Sequence, residues 1–476
     1  MKLEQLLKGI EIINIKGDIN KEIQHLSDNS STISSNCLFV AIKGININGH
    51  EYISKAIKNG GIAIVYEKKL PKKVLNKNIT FVKVSNSRKA LAILASNYYG
   101  NPAKKLTLIG ITGTNGKTTT SELTYQLLKN SGKQVGLSST VSAKWNKINV
   151  DTGYHVTCPG PIILHNYLKK MVDCGCKYAV IEVTSHGIDQ FRTYGLNFEV
   201  CAVTNITSEH LDYHKTLDNY IKTKAKIFDQ SEKIALNKHD VSLNKLKILI
   251  PTRKKVRIVD YKIQEIPKNF SKHFPGTYNQ ENLAMAREIT KILLGKVSKK
   301  ALGSFLPVTG RMEQIPNNKH LKIIVDFAHD AVSLENALKT VRDQTKGKLI
   351  VVFGCVGLRD TAKRPEMGKT AMTIADKVIV TTDDPRTENL DKINKSIKDG
   401  IISVGGKEGK NYYIIPNRQK AVNFAIQKIA KRGDSVLLAG KGHEKTMCIG
   451  TTEHPWTDQR AAKRALEPNS EKNLKS

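Results

Sequence analysis

The sequence has no apolar run near the roughly 18 residues that a membrane-spanning helix needs. Its first residues, MKLEQLLKGIEIINIKG, hold neither a long apolar stretch nor a small-residue cleavage site. Neither a membrane-embedded protein nor a secreted precursor is expected, and the expected location is cytoplasmic. Cysteine is scarce. The seven residues are odd in number and unevenly spaced, and only Cys174 and Cys176 lie close, with no second pair or histidine cluster to complete a zinc site. That excludes a disulfide scaffold and leaves reduced structural thiols. Acid is also short: 43 Asp and Glu stand against 76 Lys and Arg, for a net charge of +33. Such a balance invites nucleic acid. Yet the lysines are scattered through every segment beside abundant Asn and Ile, as a proteome-wide bias would leave them. No aromatic-basic RNA motif or zinc-finger spacing appears. No nucleic-acid partner is expected, although ATP and other polyanions are drawn to such a surface.

What is present begins at residues 105–120, KLTLIGITGTNGKTTT and SEL beyond. An apolar strand-like run, Leu106 to Ile111, leads into Gly113, Thr114, Asn115, Gly116, Lys117, Thr118 and Thr119, and a helix-like stretch follows. This is the layout of a phosphate-binding loop. Backbone N–H groups wrap a triphosphate, the helix N-terminus adds positive dipole, Lys117 reaches the outer phosphates and the Thr118 hydroxyl is placed for Mg²⁺. The usual glycine five residues before Gly116 is replaced by Ile111, so TGTNGKTT is a shifted variant.

At 476 residues the chain is too long for one core. Three domains are expected: a small α/β N-terminal one over residues 1–102, a central phosphate-loop domain with a parallel sheet over 103–304, and a Rossmann-like α/β one over 305–476. The first holds strand-like runs at Cys37 to Ile42, Ile62 to Tyr66 and Thr80 to Val84, then a helix-like stretch from Ser87 to Tyr99 and a Gly100-Asn101-Pro102 turn. In the second, runs such as Tyr178 to Val183 and Val200 to Thr204 alternate with helical patterns, which argues for a parallel sheet covered on both faces. The third has four buried-strand runs: Lys322 to Asp326, Leu349 to Phe353, Val378 to Thr382 and Val436 to Ala439. The polar tail after Glu467 is expected to fray.

Glu182 ends a strand-like run and so sits at the mouth of the sheet, where it suits Mg²⁺; the alternative is a solvated strand-end carboxylate. His210, Asp212 and His214 recur at every second position after the next strand, which fits a second metal site or a substrate contact, with core histidines as the alternative.

TGTNGKTT, EVTSHGIDQFR, TNITSEHLDYH, YNQEN and GRMEQI occur here in the order in which they occur in the Mur ligase family, and the resemblance spans the whole chain. It implies an ATP- and Mg²⁺-dependent amide ligase of peptidoglycan precursor synthesis. The carboxylate of a growing peptide is phosphorylated, and an incoming amine attacks the acyl phosphate. It further implies that Lys117 binds the γ-phosphate, that Thr118 and Glu182 hold Mg²⁺, and that His210 belongs to a second-metal region. Lys224 takes the position of the family's carbamylated lysine, a carboxylate-like metal ligand; its neighbours Lys222 and Lys226 are the alternatives if the register slips. Asn279 and Asn282 resemble adenine-side residues, with helix capping as the other reading. Arg311 resembles an ATP-contacting arginine.

The implied acyl substrate is UDP-N-acetylmuramoyl-L-alanyl-D-glutamate. Ser30, Thr157, Cys158, Thr184, Gln190 and Arg192 stand at its contact positions, Cys158 and Thr184 where relatives often carry Thr and Ser. The family's Asp-Ser-Arg reads Asn29-Ser30-Ser31 here, and Asn36 replaces a glycine. The implied amine is meso-diaminopimelate. The diaminopimelate-adding members carry Asp-Asn-Pro-Arg; this chain has Asp383, Asp384, Pro385 and Arg386. Arg359, Gly440 and Glu444 match further contacts. Two arginines suit a distal carboxylate, and Glu444 suits a distal ammonium. Asp384 adds negative charge beside Arg386, and Val356 and Leu358 replace Gly and Asp, so L-lysine or another diamino acid is the alternative amine. His329 takes the place of a family histidine that precedes a proline absent here; a structural or nucleotide-proximal role without proton transfer is expected. A folylpolyglutamate- or cyanophycin-type ligase is disfavoured by HLDYH, DDPR and GKGHE. A nucleic-acid-remodelling ATPase would need a strand-borne acid with helicase-like motifs, which this sequence lacks. No membrane partner is expected, and the chain is expected to be a monomer.

Overall fold

The computed structural model describes residues 1–44, 47–70, 78–152, 157–263 and 266–467. The polar tail therefore lies outside the described residues. Three sheets follow one another along the chain, each centred on short β-branched and apolar runs whose side chains are buried, while outer strands such as Ile12–Lys16, Ile148–Asp151 and Lys255–Val259 are largely exposed.

The first sheet contains β1 (Ile12–Lys16), β2 (His25–Ser27), β3 (Cys37–Val40), β4 (Gly61–Tyr66) and β5 (Thr80–Val84) in the order β1-β5-β4-β3-β2. Only β1 is antiparallel to its neighbour. The helix Ser87–Tyr98 starts where the Asn86 side chain accepts the N–H groups of Arg88 and Lys89, and it buries Leu91, Leu94 and Ala95.

The second sheet contains β6 (Thr107–Thr112), β7 (Val135–Ser138), β8 (Ser142–Trp145), β9 (Ile148–Asp151), β10 (Tyr178–Glu182), β11 (Phe198–Val203), β12 (Ser231–Asn237) and β13 (Lys255–Val259). Its order is β13-β12-β11-β6-β10-β7-β8-β9. Six strands are parallel, as expected, but β8 and β9 add an antiparallel edge. The cause is a two-residue turn, Asn146-Lys147, with Asn146 in the left-handed region at φ 53°.

The third sheet contains β14 (Glu313–Ile315), β15 (Lys322–Asp326), β16 (Leu349–Phe353), β17 (Lys377–Val380), β18 (Tyr412–Ile414) and β19 (Ser435–Ala439), in the order β14-β15-β19-β16-β17-β18. The four expected strands form its centre. The two edge strands have three residues each, too few for a periodic pattern. A separate hairpin, β20 (Thr446–Ile449) and β21 (Thr452–Pro455), follows.

β6 is paired on both sides, by β11 and β10, so the loop after it opens at the carboxyl end of the sheet's middle, where ligands of such sheets bind.

Candidate active site

The phosphate loop is held from both sides. Gly116 has φ 80° and precedes the helix Lys117–Asn130; a Cβ there would lie 2.2 Å from Asn282 Oδ1. A Cβ on Gly113 would lie 1.9 Å from Thr204 Oγ1, so neither position admits a side chain. Asn205 clamps the loop: its Oδ1 accepts from Asn115 N–H at 2.9 Å and its Nδ2 donates to Asn115 O at 3.1 Å. Thr204 Oγ1 donates to the same carbonyl at 2.6 Å. Thr114 is fixed by Thr207, whose N–H donates to its hydroxyl. These supports escaped the sequence reading, although Thr204 and Asn205 open a motif it had singled out.

Glu182 is buried, and it is no solvated strand end. Thr118 Oγ1 donates to its carboxylate at 3.0 and 3.1 Å, and Thr140 N–H donates to Oε2 at 2.8 Å. From beyond the second sheet Arg311 Nη2 donates to Thr118 Oγ1 at 3.1 Å, its guanidinium stacked 4.6 Å over the Phe327 ring. Lys117 folds back to donate to Thr114 O at 2.6 Å. Thr114 to Thr119, Glu182, Arg311 and His329 thus share one small pocket. Its oxygen donors, the Glu182 carboxylate and threonine hydroxyls that include Thr118, fit Mg²⁺.

Lys224 lies on the helix Leu217–Ala225 and is 1% exposed, whereas Lys222 and Lys226 are exposed. It donates to Gly113 O at 2.6 Å and sits 4.6 Å over the Tyr220 ring. Burial, with Lys117 adding repulsion, pushes its pKa well below the usual lysine value, although Glu209 and Glu182 pull the other way. A buried amine that prefers to be neutral is what carbamylation by CO₂ requires.

His210, Asp212 and His214 do not gather at one point, because Leu211–His214 is a helical turn that sends their side chains apart. His210, left-handed at φ 56°, faces Glu209 at 3.6 Å, and burial pushes its pKa down to about 4. His214 turns away to Ser185 Oγ at 3.0 Å, and Asp212 is exposed. His329 reaches across from the third unit to Glu209 Oε1 at 3.1 Å. Burial opposes the charge of Glu209, but His210, His329 and Lys117 outweigh it and hold its pKa well below the usual value.

Asn279 and Asn282 are inside the helix Thr277–Leu294, whose cap is Gly276, so neither is a cap. Asn282 bridges Thr120 Oγ1 (3.1 Å) and Asn279 (3.2 Å) behind the loop. Both line a cavity of about 640 Å³ that also takes in Asn115, Gly116, Tyr261 and Asp326.

A second cleft, about 720 Å³, opens between the first and second units. Arg192 lines it, pinned by donating to Cys158 O at 2.7 Å and to Gln190 Oε1 at 2.8 Å. Cys158 is buried at φ 66°, its thiol pushed up to about 11 by burial. Thr184 Oγ1 caps a short helix by accepting from Gly187 N–H, and Thr157 accepts from Thr140 Oγ1 at 2.8 Å beside the phosphate pocket. Ser30 is buried and does not line this cleft. Asp28 and Arg88 do, and sequence reasoning missed both. Asp28 lies one position before the expected acid and faces Arg192 and Arg88.

The third group gathers around the carboxyl end of β19. Arg359 is on an exposed loop within electrostatic reach of Arg386, Asp212, Glu444 and Glu209. Gly440 has φ 106°, and a Cβ on it would lie 2.6 Å from Asp383 Oδ2. Pro385 O lies where a Cβ on Gly357 would meet it, so this turn packs against the Arg359 loop. Asp383 and Asp384 are buried and turn inward, toward a lysine that sequence reasoning passed over, Lys441. Asp384 therefore does not present its charge beside Arg386. Arg386 itself is held in the left-handed region by Cys448 O, which accepts its N–H, and by donation from Gly450 N–H to its carbonyl.

Three α/β units around a strand–loop–helix phosphate site, with clefts on both sides of it, define a nucleotide-using ligase fold. The Mur ligase middle domain model matches residues 111–317, the Mur ligase glutamate ligase domain model residues 310–442, and the Mur ligase family catalytic domain model residues 22–99. The chain belongs to the Mur ligase family. It is 39% identical to the UDP-N-acetylmuramoyl-L-alanyl-D-glutamate–2,6-diaminopimelate ligase of Clostridium tetani, covering 93% of this chain and 95% of that one. The corresponding ligase of Clostridium botulinum is 38% identical over the same shares. Among solved structures, one of a ligase of that name superposes with a TM-score of 0.62 at 24% identity, over 98% of both chains. The MurF ligase from Thermotoga maritima in complex with ADP gives 0.61 at 19% identity, over 94% of this chain and 98% of that one.

Proposed function

We propose that this protein is the ATP-dependent ligase that joins meso-diaminopimelate to UDP-N-acetylmuramoyl-L-alanyl-D-glutamate in peptidoglycan precursor synthesis, acting as a monomer in the cytoplasm. The observation that carries the reading is the grouping of Arg359 with Arg386 and Glu444 within electrostatic reach of one another, in a chain 39% identical to a ligase of that name. A distal carboxylate needs cations and a distal ammonium needs an anion, and an amine lacking the carboxylate leaves both arginines unpaired.

The proposed division of labour follows the three units: residues 1–102 take the UDP-sugar, 103–304 the ATP, and 305–476 the amino acid. ATP lies with its phosphates on Gly113 to Thr119 and its base toward Asn279 and Asn282. Lys117 unfolds from Thr114 O onto the outer phosphates, and Arg311 turns from Thr118 to the same charge. Thr118, Glu182, His210 and a carbamylated Lys224 are the groups that hold Mg²⁺, which supplies charge neutralisation to the phosphates when bound. An oxygen of the D-glutamate carboxylate attacks the γ-phosphorus and ADP leaves. The amine then attacks the acyl carbon, the carbon–oxygen bond to phosphate breaks, and phosphate and a proton are released. Arg192, with Thr157, Cys158, Thr184 and Gln190, orients the muramyl peptide; Ser30 supports the first unit from within. Little covalent chemistry falls to the protein, so positioning and charge carry the rate.

The test is phosphate release with ATP, Mg²⁺ and the UDP-muramyl dipeptide, with and without meso-diaminopimelate. Turnover dependent on both substrates is expected. ATP hydrolysis stimulated instead by DNA or RNA, with no dependence on the dipeptide, would overturn the reading.

A further inference from the structure

Lys441 is wholly buried, yet three carboxylates surround it. Its Nζ lies 2.5 Å from Glu444 Oε2, 2.7 Å from Asp384 Oδ1 and 3.6 Å from Asp383 Oδ1. The three acids differ in how far they reach outward. Glu444 keeps 14% of its side chain exposed, against 2% for each aspartate. Asp384 Oδ1 also accepts from Cys448 N–H at 3.0 Å, which ties the Asp383–Arg386 turn to the hairpin β20–β21. The same hairpin fixes the backbone of Arg386. Burial works against the Lys441 ammonium, but Asp383, Glu444 and Asp384 outweigh it and hold its pKa above the usual lysine value. Arg418, paired with Asp458 at 2.7 Å, supplies a second buried cation beside Asp383 and Asp384.

We propose that Lys441 and Asp384 form a positioning pair for the amine substrate. Lys441 fixes the carboxylate of Glu444, and Asp384 offsets the lysine so that Glu444 keeps an attraction for the substrate's distal ammonium. In this account Asp384 is no substrate contact. A lone lysine 2.5 Å from Glu444 would absorb the field of that carboxylate. A second anion on the inward side of the lysine shares it. The aspartate at this position, which stands near Arg386 in the sequence, then serves Glu444 through Lys441. The proposal rests on the ligase reading above.

Initial rates with saturating ATP and UDP-muramyl dipeptide and varied meso-diaminopimelate test it, for wild type, Asp384→Asn, Lys441→Met and the double variant. Asparagine keeps the shape and the Oδ1 acceptor, so Asp384→Asn should fold as wild type does. We expect it to raise KM for diaminopimelate roughly fivefold, with KM for ATP unchanged, as for neighbours that couple through one network. Lys441→Met should raise the same KM more than about tenfold, and adding Asp384→Asn should recover part of that loss, because it removes a charge left unpaired. A wild-type KM in Asp384→Asn, or losses that simply add in the double variant, would overturn the pair. If Lys441→Met does not fold, Asp384→Asn alone decides. Absence of wild-type turnover with any diamino acid would overturn the ligase reading and the pair together; wild-type turnover with an unaltered KM in Asp384→Asn overturns the pair only.

Discussion

Two lysines in this chain are almost completely removed from water, and their surroundings give them opposite character. Lys224, under the phosphate loop, donates to a backbone carbonyl and lies over an aromatic ring, with Lys117 as a like-charged neighbour. Lys441, at the end of β19, is met by three carboxylates. Burial penalises the charged form of both. Only at Lys441 do anions outweigh the penalty, so the pKa of Lys224 is pushed down and that of Lys441 is held up. Burial alone therefore says nothing of a lysine's role; the count of close anions decides it.

The strongest way to break this contrast is at Lys117, which adds to burial in pushing the Lys224 pKa down. Lys117→Ala should reduce ligation by about a thousandfold or more, the scale on which charge stabilisation of phosphoryl transfer acts. Steady-state phosphate release with a folded, thermally melting variant checks it, and full turnover would remove the phosphate-loop assignment. Next, Lys224→Ala should lose at least about a hundredfold, with partial recovery on adding acetate or formate, since a short carboxylate can replace a carbamate. Wild-type rate without added acid would sink the carbamate idea.

The contrast also predicts opposite signs in stability. In CO₂-free buffer near pH 7, Lys224→Met should stabilise by about 1 kcal/mol, because the buried amine must give up a proton that the unfolded chain keeps. Lys441→Met should destabilise by about 3 kcal/mol, because it strands buried carboxylates. The contribution of Lys441, whose folded pKa is raised, is fully present below the unfolded value near 10.5 and fades only as pH rises through the folded one. Urea unfolding of both variants measures this; changes of the same sign would end the comparison.

A separate effect concerns a buried group whose shift comes from burial alone. His165 is 1% exposed, and burial pushes its pKa from 6.5 to about 4. The unfolded chain takes up that proton near pH 6.5 and the folded one only near 4, so folding stability falls as pH drops through this window. His165→Leu should flatten the fall by up to about 1.4 kcal/mol per pH unit, one proton's worth. A pH series of melting curves with an unchanged slope would contradict it.

Some of this was legible from the residues. A strand, two glycines and a helix specify the phosphate loop locally, and the position of Glu182 at a strand end brings it to Thr118 through sheet geometry alone. Central strands are apolar enough to declare themselves. The edges β9, β14 and β18 are not, because these edge strands are short and partly solvated. The recurrence of His210, Asp212 and His214 at every second position does not make them one cluster, because a helical turn parts their side chains. Lys441 and Asp384 lie 57 residues apart along the chain, so no local pattern announces their meeting. Asp28 was hidden by a shift of one position, and Asn205 by having a role toward backbone rather than ligand.

The central claim is the identity of the reaction, and the mass of its product tests it most directly. Purified protein would be given ATP, Mg²⁺, UDP-N-acetylmuramoyl-L-alanyl-D-glutamate and equal amounts of meso-diaminopimelate and L-lysine. The account predicts a product carrying diaminopimelate, formed with one ADP per bond. A product carrying lysine would contradict the pairing of Arg359 and Arg386 with a distal carboxylate, and no peptide product at all would contradict the ligase itself.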